Sequence, residues 1–590
     1  MNPLETIVKG GGFLIHEILP ESIFTPEDRT DEHKMIGDTA RQFISREIHP
    51  YRKDLEAGNF KLVEEKMKHA GELGLLSHSI PEQYGGLGLD KISKGIVGEA
   101  LGNASGYSVA HSNHTCIATL PITYFGTPLL KEKYLPKLAS GEYIGAYCLT
   151  EPEAGSDALS AKTTATLNSE GTHYILNGTK IYITNAAFSD TFIVYAKVDG
   201  VHFTAFVVER TFKGLSIGPE EDKMGIKGSS TCSVILEDCE VPVENLLGEV
   251  GKGHLIALNV LNLGRFNLGF ATNGAAKYCL KLAINHTTER KQFGKTIAEF
   301  NASKQKLAKM NARIYATESL LYRTAGHIES VLGSYYESSD HKAIAQSMNE
   351  HALESAICKI TGSETLDYIA DESLQLHGGA GFIKEYPIEQ AYRDSRINRI
   401  FEGTNEINRL LIPGIFFKKA GKGEFDARTI MEKAEFSLKN GEFKNNEGPL
   451  EKLQEAVRLF KDLYLVCAGA AYHMYGNAIQ NEQETLMNLA DLVIAIYESE
   501  STVLRTMKAI QNSKPNAALK TKLAYTVVEN AALSVHQSAT LLLSNLLTGE
   551  ERLKSLQNIA FLLSAYHWED TIERNRTIAD ILIEEKQYTS

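Results

Sequence analysis

One stretch of the chain, residues 147–157, reads Tyr-Cys-Leu-Thr-Glu-Pro-Glu-Ala-Gly-Ser-Asp and marks a change in sequence texture. Before it, from about residue 30 to 140, apolar residues follow a helical pattern with glycine-rich breaks. After it, to about residue 250, β-branched and aromatic runs predict strands. Two interpretations of the stretch itself stay open at this point. It could present backbone N–H groups and hydroxyls to an anion, or it could be an ordinary turn before the strands.

The strand-rich block contains two β-rich runs around Asn177-Gly178, within residues 174–184. Asn-Gly favours the left-handed conformations of a tight turn, so this pattern predicts a hairpin. Helical texture returns from about residue 252 to 410. The polar run 439–449 then predicts a linker. Beyond it, apolar residues recur at helical spacing and predict an extra all-helical domain, at Leu453, Ala456, Val457, Phe460, Leu463, Tyr464 and Cys467.

Length and composition restrict the class of protein. At about 100–200 residues per domain, 590 residues predict about three to five domains. A net charge of −13 argues against nucleic-acid binding, which needs basic patches. Seven scattered cysteines without C-x-x-C spacing are typical of reduced, buried thiols. We expect a cytoplasmic protein, because the sequence shows no signal-peptide pattern, no long apolar run and no peroxisomal address.

Several common motifs are missing from the sequence. It has no Walker A spacing, no G-x-G-x-x-G, no H-E-x-x-H and no G-x-S-x-G. His377 is expected to be structural, since buried histidines more often satisfy the core than bind metal. Residues 375–382 are either a helix end or a binding loop, and Glu402 before Gly403 is either a solvated or a functional carboxylate.

Four segments in this order resemble the acyl-CoA dehydrogenase family of flavoproteins. Residues 147–157 resemble the first family signature, and residues 375–387 with Arg393-Asp394 resemble the second. Between them, residues 289–295 resemble the R-x-x-F-G segment, and residues 399–407 resemble the catalytic segment. The helical tail is similar to that of the very-long-chain branch and its bacterial relatives.

The resemblance implies a multidomain fold, mainly α with a β middle domain. It places a helical N-terminal domain at 30–143, a β-barrel-like middle domain at 144–250 and a helical bundle with the catalytic Glu at 251–415. A linker at 416–449 and an all-α C-terminal domain at 450–590 follow. The basic segment 416–422, which follows aromatics, is expected to be a solvated linker face, with peripheral contact to an anionic membrane as the alternative.

The resemblance also implies FAD-dependent α,β-dehydrogenation of long- and very-long-chain fatty acyl-CoA to trans-2-enoyl-CoA in fatty acid β-oxidation. A carboxylate removes the α-proton, the β-hydrogen leaves as hydride to FAD, and an electron-transferring flavoprotein takes the electrons. FAD shared between two subunits implies a homodimer. An acyl-CoA oxidase and a non-catalytic role in assembly of respiratory complexes are the alternatives.

Functional residues follow from the resemblance position by position. Glu402 is the expected base, because Gly264 occupies the position that carries the base in other branches. The expected substrate contacts are Ser156, Asn262, Arg265, Glu402 and Gly403. The expected FAD contacts are Tyr147, Leu149, Thr150, Gly155, Ser156, Tyr182, Ile183, Thr184, Arg290, Gln292, Phe293, Gln375, Gly378, Gly379, Thr404 and Glu406. Tyr182 stands where the family usually has Trp, and Gln390 where it usually has Lys or Arg. No metal is implied.

Overall fold

The computed structural model describes residues 8–336, 338–439, 448–564 and 570–590. Its helices are α1 Asp31–Phe43, α2 Arg52–Glu56, α3 Phe60–Glu72, α4 Lys91–Leu101, α5 Gly106–Ser112, α6 Leu120–Phe125, α7 Pro128–Ser140, α8 Gly253–Glu289, α9 Asn301–Leu332, α10 His341–Glu350, α11 Ala352–His377, α12 Pro387–Ser395, α13 Asn405–Gly421, α14 Ala427–Lys439, α15 Pro449–Tyr475, α16 Gln483–Gln511, α17 Ala517–Leu546, α18 Gly549–Ser564 and α19 Thr571–Glu585. Its strands are β1 Gly145–Cys148, β2 Thr164–Leu167, β3 His173–Thr184, β4 Thr191–Val198, β5 His202–Glu209, β6 Leu215–Glu220, β7 Thr231–Pro242, β8 Leu246–Leu247, β9 Lys291–Gln292 and β10 Lys295–Thr296. The fold is therefore mainly helical with a β domain in the middle, as the sequence predicts.

The β domain is an eight-stranded sheet in the order β6-β7-β3-β2-β4-β5-β8, and β1 pairs with β4. β4 and β5 are buried along almost their whole length, because both faces of these strands are covered. Phe192, Val194 and Phe206 pack in the core of the β domain, and Ile193 and Val207 pack in the core that includes residues of the helices. β1 ends at Cys148, so the stretch 149–157 begins where this strand ends.

The hairpin prediction at Asn177-Gly178 is wrong. β3 runs unbroken from His173 to Thr184, and the register against β7 shifts between Leu176 and Gly178. Asn177 explains the bulge, since its Nδ2 donates to Asp238 Oδ1 (3.1 Å) and its Oδ1 accepts from the Asp238 N–H (2.8 Å). A Cβ on Gly178 would lie 2.3 Å from Thr163 Oγ1, so glycine is required here by close packing and not by a turn.

The helical bundle is built on α8, which packs against α4, α9 and α11. More than half of its 37 residues are buried, and these lie on every side of the helix. This pattern suits a helix that is surrounded by neighbours rather than one with a solvent face. α8, α11 and α13 converge on the loop that carries Glu402, and this convergence positions the site.

The predicted linker 416–449 contains helix. Residues 416–421 complete α13, and α14 occupies Ala427–Lys439, while residues 440–447 lie outside the described part of the chain. Phe416 is buried against Phe425 and Tyr464, so its ring belongs to the core and is not free to enter a bilayer. Packing of this kind holds a helix together across Pro413 despite its missing N–H.

The prediction for the extra domain is confirmed in detail. α15 begins at Pro449, a favoured first helical residue, and all seven predicted apolar positions from Leu453 to Cys467 are at most 4% exposed. α15, α16 and α17 pack together, and α16 and α17 also contact α9 of the bundle. The seven cysteines are free and buried, as expected. Within the described residues, no helix combines the length and the apolar character that a bilayer crossing needs.

Candidate active site

Glu402 lies in a short loop that ends at the first turn of α13. Its φ is +59° and that of Gly403 is +78°, so two successive residues adopt the left-handed region. A non-glycine residue pays for this conformation in strain, which the surroundings must offset. Side chains from three helices offset this strain by donating hydrogen bonds to carbonyl oxygens of the loop. Arg265 Nε on α8 donates to Glu402 O (3.3 Å), Lys359 Nζ on α11 donates to Gly403 O (2.8 Å), and Asn408 Nδ2 on α13 donates to Gly403 O (2.9 Å).

The Glu402 carboxyl group is enclosed and incompletely satisfied. Its Oε2 is buried and has no hydrogen-bond partner in the described part of the chain. Burial raises the pKa of Glu402 to about 7, against the pull of the nearby Arg265 and Lys359 cations. A carboxylate with a pKa close to neutrality and a free lone pair has the properties of a general base.

Gly264 leaves room for this carboxylate. A Cβ at position 264 would lie 2.7 Å from Glu402 Oε2, closer than real side chains approach. Any side chain here, including a second carboxylate, would have to displace Glu402. The neighbouring Arg265 is buried, and its Nη1 donates to Asn262 Oδ1 (2.9 Å), so the two expected substrate contacts form one polar pair beside the base.

A narrow pocket of about 140 Å³ starts at Glu402 and Gly264. It runs between the stretch 102–117, α8 and α12. Asn113, Cys116 and Ile117 enter it from the π-helical turn Asn113–Ala118, an irregularity that is frequent at functional sites. Most of the pocket surface is apolar, which suits a hydrocarbon chain, and the charged side chains of Arg52 and Asp394 also line the pocket.

The first signature stretch forms a closed turn. The Glu151 and Ala154 backbones exchange two hydrogen bonds of 3.1 Å, which leaves Gly155 and Ser156 exposed beyond the turn. Tyr147 and Leu149 are buried before it, and Thr150 is half-buried. The interpretation as a turn and the interpretation as an anion-binding loop each describe part of the stretch. Residues 151–154 form the turn, and Gly155 and Ser156 after it are exposed to a ligand.

Sequence reasoning missed the residues that hold this turn. Glu151 accepts from Lys180 Nζ (2.6 Å) on β3, and Thr163 Oγ1 also donates to it. Burial alone would raise the pKa of Glu151, but Lys180 and the hydrogen-bond donors outweigh it and lower that pKa. Lys359 was also missed, although a lysine inside the apolar run 356–360 of α11 was a signal that could have revealed it.

The end of β3 contributes three predicted FAD contacts. A register shift between Lys180 and Ile183 turns Tyr182 outward, with φ +59° and 63% of its surface exposed. Ile183 is buried, and Thr184 lines the pocket of Glu402. An exposed aromatic ring beside that pocket offers a flat face for a ring system.

None of the remaining predicted FAD contacts lines the pocket of Glu402, although Thr404 and Glu406 follow that residue closely in the chain. Arg290, Gln292 and Phe293 are exposed at the β9–β10 turn, where Phe293 has φ +53° and is 93% exposed. Gln375, Gly378 and Gly379 lie where α11 ends, and both glycines face open space. Thr404 caps α13 by accepting from the Ile407 N–H (3.2 Å), and Glu406 is exposed in its first turn. The structure therefore brings the expected base together with Asn262 and Arg265, and leaves most of the expected FAD contacts exposed.

Comparison with known proteins identifies the family to which this chain belongs. Models described as the N-terminal, middle and C-terminal domains of acyl-CoA dehydrogenase match residues 30–142, 146–239 and 251–413. A further C-terminal domain model of acyl-CoA dehydrogenase matches residues 459–560. The chain belongs to the acyl-CoA dehydrogenase family.

Full-length relatives agree with this assignment. A probable acyl-CoA dehydrogenase of Bacillus subtilis is 47% identical over 99% of both chains. The human mitochondrial very long-chain specific acyl-CoA dehydrogenase is 33% identical over 91% of this chain and 83% of its own. A crystal structure of an acyl-CoA dehydrogenase complexed with FAD from Bacillus anthracis superimposes with a TM-score of 0.96, at 46% identity, over 99% of this chain and 100% of that one.

This acyl-CoA dehydrogenase is accordingly a flavin oxidoreductase, and its cofactor is FAD. The residues present suit that group. Gly155, Gly378 and Gly379 each have open space where a side chain would project, and Tyr182 exposes an aromatic face. Glycines of this kind allow a phosphate to approach the backbone closely.

Proposed function

We propose that this protein dehydrogenates long- and very-long-chain fatty acyl-CoA to trans-2-enoyl-CoA in fatty acid β-oxidation, with Glu402 as the base. The observation that supports this most is the buried Glu402 carboxyl group at a pocket with a mostly apolar surface. Its Oε2 has no hydrogen-bond partner among the described residues, and burial raises its pKa to about 7. The α-proton of a thioester is weakly acidic, so its removal needs a base that is strong and available near neutral pH.

The positions of the pocket and of Arg265 support one orientation of the substrate. The acyl chain would enter the pocket beyond Gly264, and the thioester would rest beside Glu402, with Ser156, Asn262, Arg265 and Gly403 along the CoA side. Glu402 would then take the α-proton while its loop is held by Lys359 and Asn408. FAD, when bound, accepts the β-hydrogen as hydride. Holding the α- and β-carbons of the substrate between the base and the hydride acceptor lowers the entropic cost of the step.

The FAD contacts carried over from the family support a homodimer. Arg290, Gln292 and Phe293 project from a turn that does not line the pocket of their own Glu402. A side chain such as Phe293, which is 93% exposed, is expected to be covered in the working assembly. We assign these three residues to the FAD of a second copy, and the other predicted contacts to the FAD of the same chain.

The preference for long chains and the partner rest on the full-length relatives. The similarity to the very long-chain specific enzyme extends through the C-terminal domain, which the shorter family members lack. By the same family argument, reduced FAD passes its electrons to an electron-transferring flavoprotein in the cytoplasm.

Anaerobic titration of the purified protein tests the proposal. We expect a flavin absorbance that palmitoyl-CoA bleaches faster than butyryl-CoA, with reoxidation by an electron-transferring flavoprotein and only slowly by air. Flavin that no acyl-CoA bleaches would contradict the enzyme function and favour an assembly role. Rapid reoxidation by O₂ would instead show an acyl-CoA oxidase.

A further inference from the structure

A second cavity, of about 2520 Å³, is lined by Arg265, the neighbour of the Gly264 that lines the narrow pocket. Asn262 and Arg265 line its inner end, beside the loop of Glu402. From there it extends between α13 and the C-terminal helices α14, α15, α17 and α18. The C-terminal domain therefore supplies a wall to a space that begins at the site of chemistry.

One face of α13 follows this cavity along its length. Ile407, Leu411, Gly414 and Lys418 line it at spacings of three and four residues, which places them in one row on the helix. Lys422, directly after the last helical residue, continues this row. From Ile407 to Lys422 the row measures about 22 Å at about 1.5 Å per residue. This length is comparable to that of an extended pantetheine arm. A Cβ on Gly414 would face open space, so the row is unobstructed at its middle.

Two cations stand at the outer end of the row. Within the described part of the chain, neither Lys418 nor Lys422 has a carboxylate at salt-bridge distance, whereas Lys419 between them pairs with Glu350 (3.1 Å). Both free ammonium groups line the cavity. Lys419, Arg428, Lys439 and Lys554, which also line the cavity, each pair with a glutamate. Unpaired lysines at such a position are suited to phosphate groups.

An aromatic face lies close to these lysines. Tyr472 on α15 lines the cavity and is 50% exposed, and its ring stacks on Phe417 of α13 at 6.0 Å between centroids. An exposed ring that is held by a stacking neighbour is a preorganised surface for a flat heterocycle. The two lysines suit phosphate groups and the ring suits a flat heterocycle, and both lie about one pantetheine length from Glu402. A ligand that joins a pantetheine arm to a nucleotide would meet all three.

We propose that the C-terminal domain forms one wall of the site for the nucleotide half of acyl-CoA. Lys418 and Lys422 bind its phosphates, and Tyr472 stacks on its adenine. The inference rests on the proposed function for the identity of the ligand. It adds a role for the extra domain in substrate binding, through residues that no family motif marks.

Binding measurements on the FAD-loaded protein test this role without turnover. We expect the double variant Lys418→Gln/Lys422→Gln to weaken CoA binding about tenfold by calorimetry, and binding of pantetheine, which lacks the nucleotide, less than twofold. Tyr472→Leu is expected to weaken CoA binding in the same selective way. Lys433→Gln is the matched control, since Lys433 is exposed on α14 and does not line the cavity.

Unchanged CoA affinity in both the lysine and the tyrosine variants would overturn the proposal. Equal loss for CoA and pantetheine would also overturn it, because the lysines would then act through the fold. Failure of the proposed function would look different, since the wild-type protein would then bind CoA without bleaching by any acyl-CoA.

Discussion

At the scale of single residues, the site depends on how a strained carboxylate is held. Glu402 combines a positive φ, a raised pKa and an Oε2 without a hydrogen-bond partner in the part of the chain that the structure describes. The family motif predicts the glutamate but not its environment, which comes from Gly264, Arg265 and Lys359 on other helices. Sequence can identify the base, whereas its pKa depends on burial that only the folded chain creates.

Lys359 is the neighbour whose removal is most informative. Its Nζ donates to Gly403 O (2.8 Å) and Asn405 Oδ1 (2.7 Å), and its charge lowers the pKa of Glu402. We expect Lys359→Met to slow flavin reduction about tenfold through lost hydrogen bonds. The pKa of Glu402 should rise, so the pH at which the rate reaches half its plateau should move upward.

The pH dependence of anaerobic flavin reduction measures this effect. Lys359→Arg, which keeps the charge, should shift the pH midpoint less than Lys359→Met. An unchanged midpoint in Lys359→Met with normal FAD content would show that Lys359 does not tune the base.

At the scale of elements, the sequence predicted periodic structure well and local exceptions poorly. The α15 stripe from Leu453 to Cys467 is buried as expected, because helical periodicity records burial directly. The Asn177-Gly178 hairpin failed, since the same dipeptide suits a bulge that pairs with Asp238 on β7. Turn chemistry is local, and the partner strand that decided the outcome lies about 60 residues away in sequence.

The Glu151–Lys180 pair links the signature turn to β3, and breaking it should loosen the FAD site. Both side chains are at most 5% exposed, so Lys180→Met leaves a buried carboxylate without its counter-ion. We expect a loss of about 3–5 kcal/mol in the free energy of unfolding, together with lower FAD content.

Chemical denaturation and flavin absorbance check this prediction. Lys162→Met is the control on the same turn, because Lys162 pairs with Glu153 at the surface and should leave both readouts unchanged. A Lys180→Met variant with wild-type stability would mean that the buried pair does not support the turn.

At the scale of the whole molecule, an ion network joins the two ends of the chain to the bundle. Arg505 on α16 pairs with Glu27 (2.8 Å) of the N-terminal segment and with Glu318 (2.7 Å) of α9. Tyr588 near the C-terminus also donates to Glu318 (2.7 Å). Burial alone would raise the pKa of Glu318, but Lys277 and Arg505 hold it well below its ordinary value. None of these partners was predicted, since they are separated by up to 478 residues.

Arg505→Met should therefore weaken attachment of the C-terminal domain. It removes the cation that Glu27 and Glu318 share, and leaves Glu27 with Lys520 (3.5 Å) and Glu318 with Lys277. We expect a loss of about 3 kcal/mol in the free energy of unfolding above pH 4.5, the ordinary pKa of a glutamate. Because the folded pKa of Glu318 is lowered, the stabilisation is present above that pH and is lost as the pH falls. Denaturation at pH 7 and pH 4 measures this, with the surface variant Lys34→Met as control.

The most direct test of the whole account is anaerobic stopped-flow reduction of the bound flavin by palmitoyl-CoA, in wild type and Glu402→Gln. The substitution keeps the size of the side chain but removes the basic oxygen. We predict normal FAD content and palmitoyl-CoA binding, and a bleaching rate at least about a thousandfold slower. In the wild type, the rate should rise with pH through about 7 as Glu402 loses its proton. Bleaching of Glu402→Gln at the wild-type rate would contradict the account.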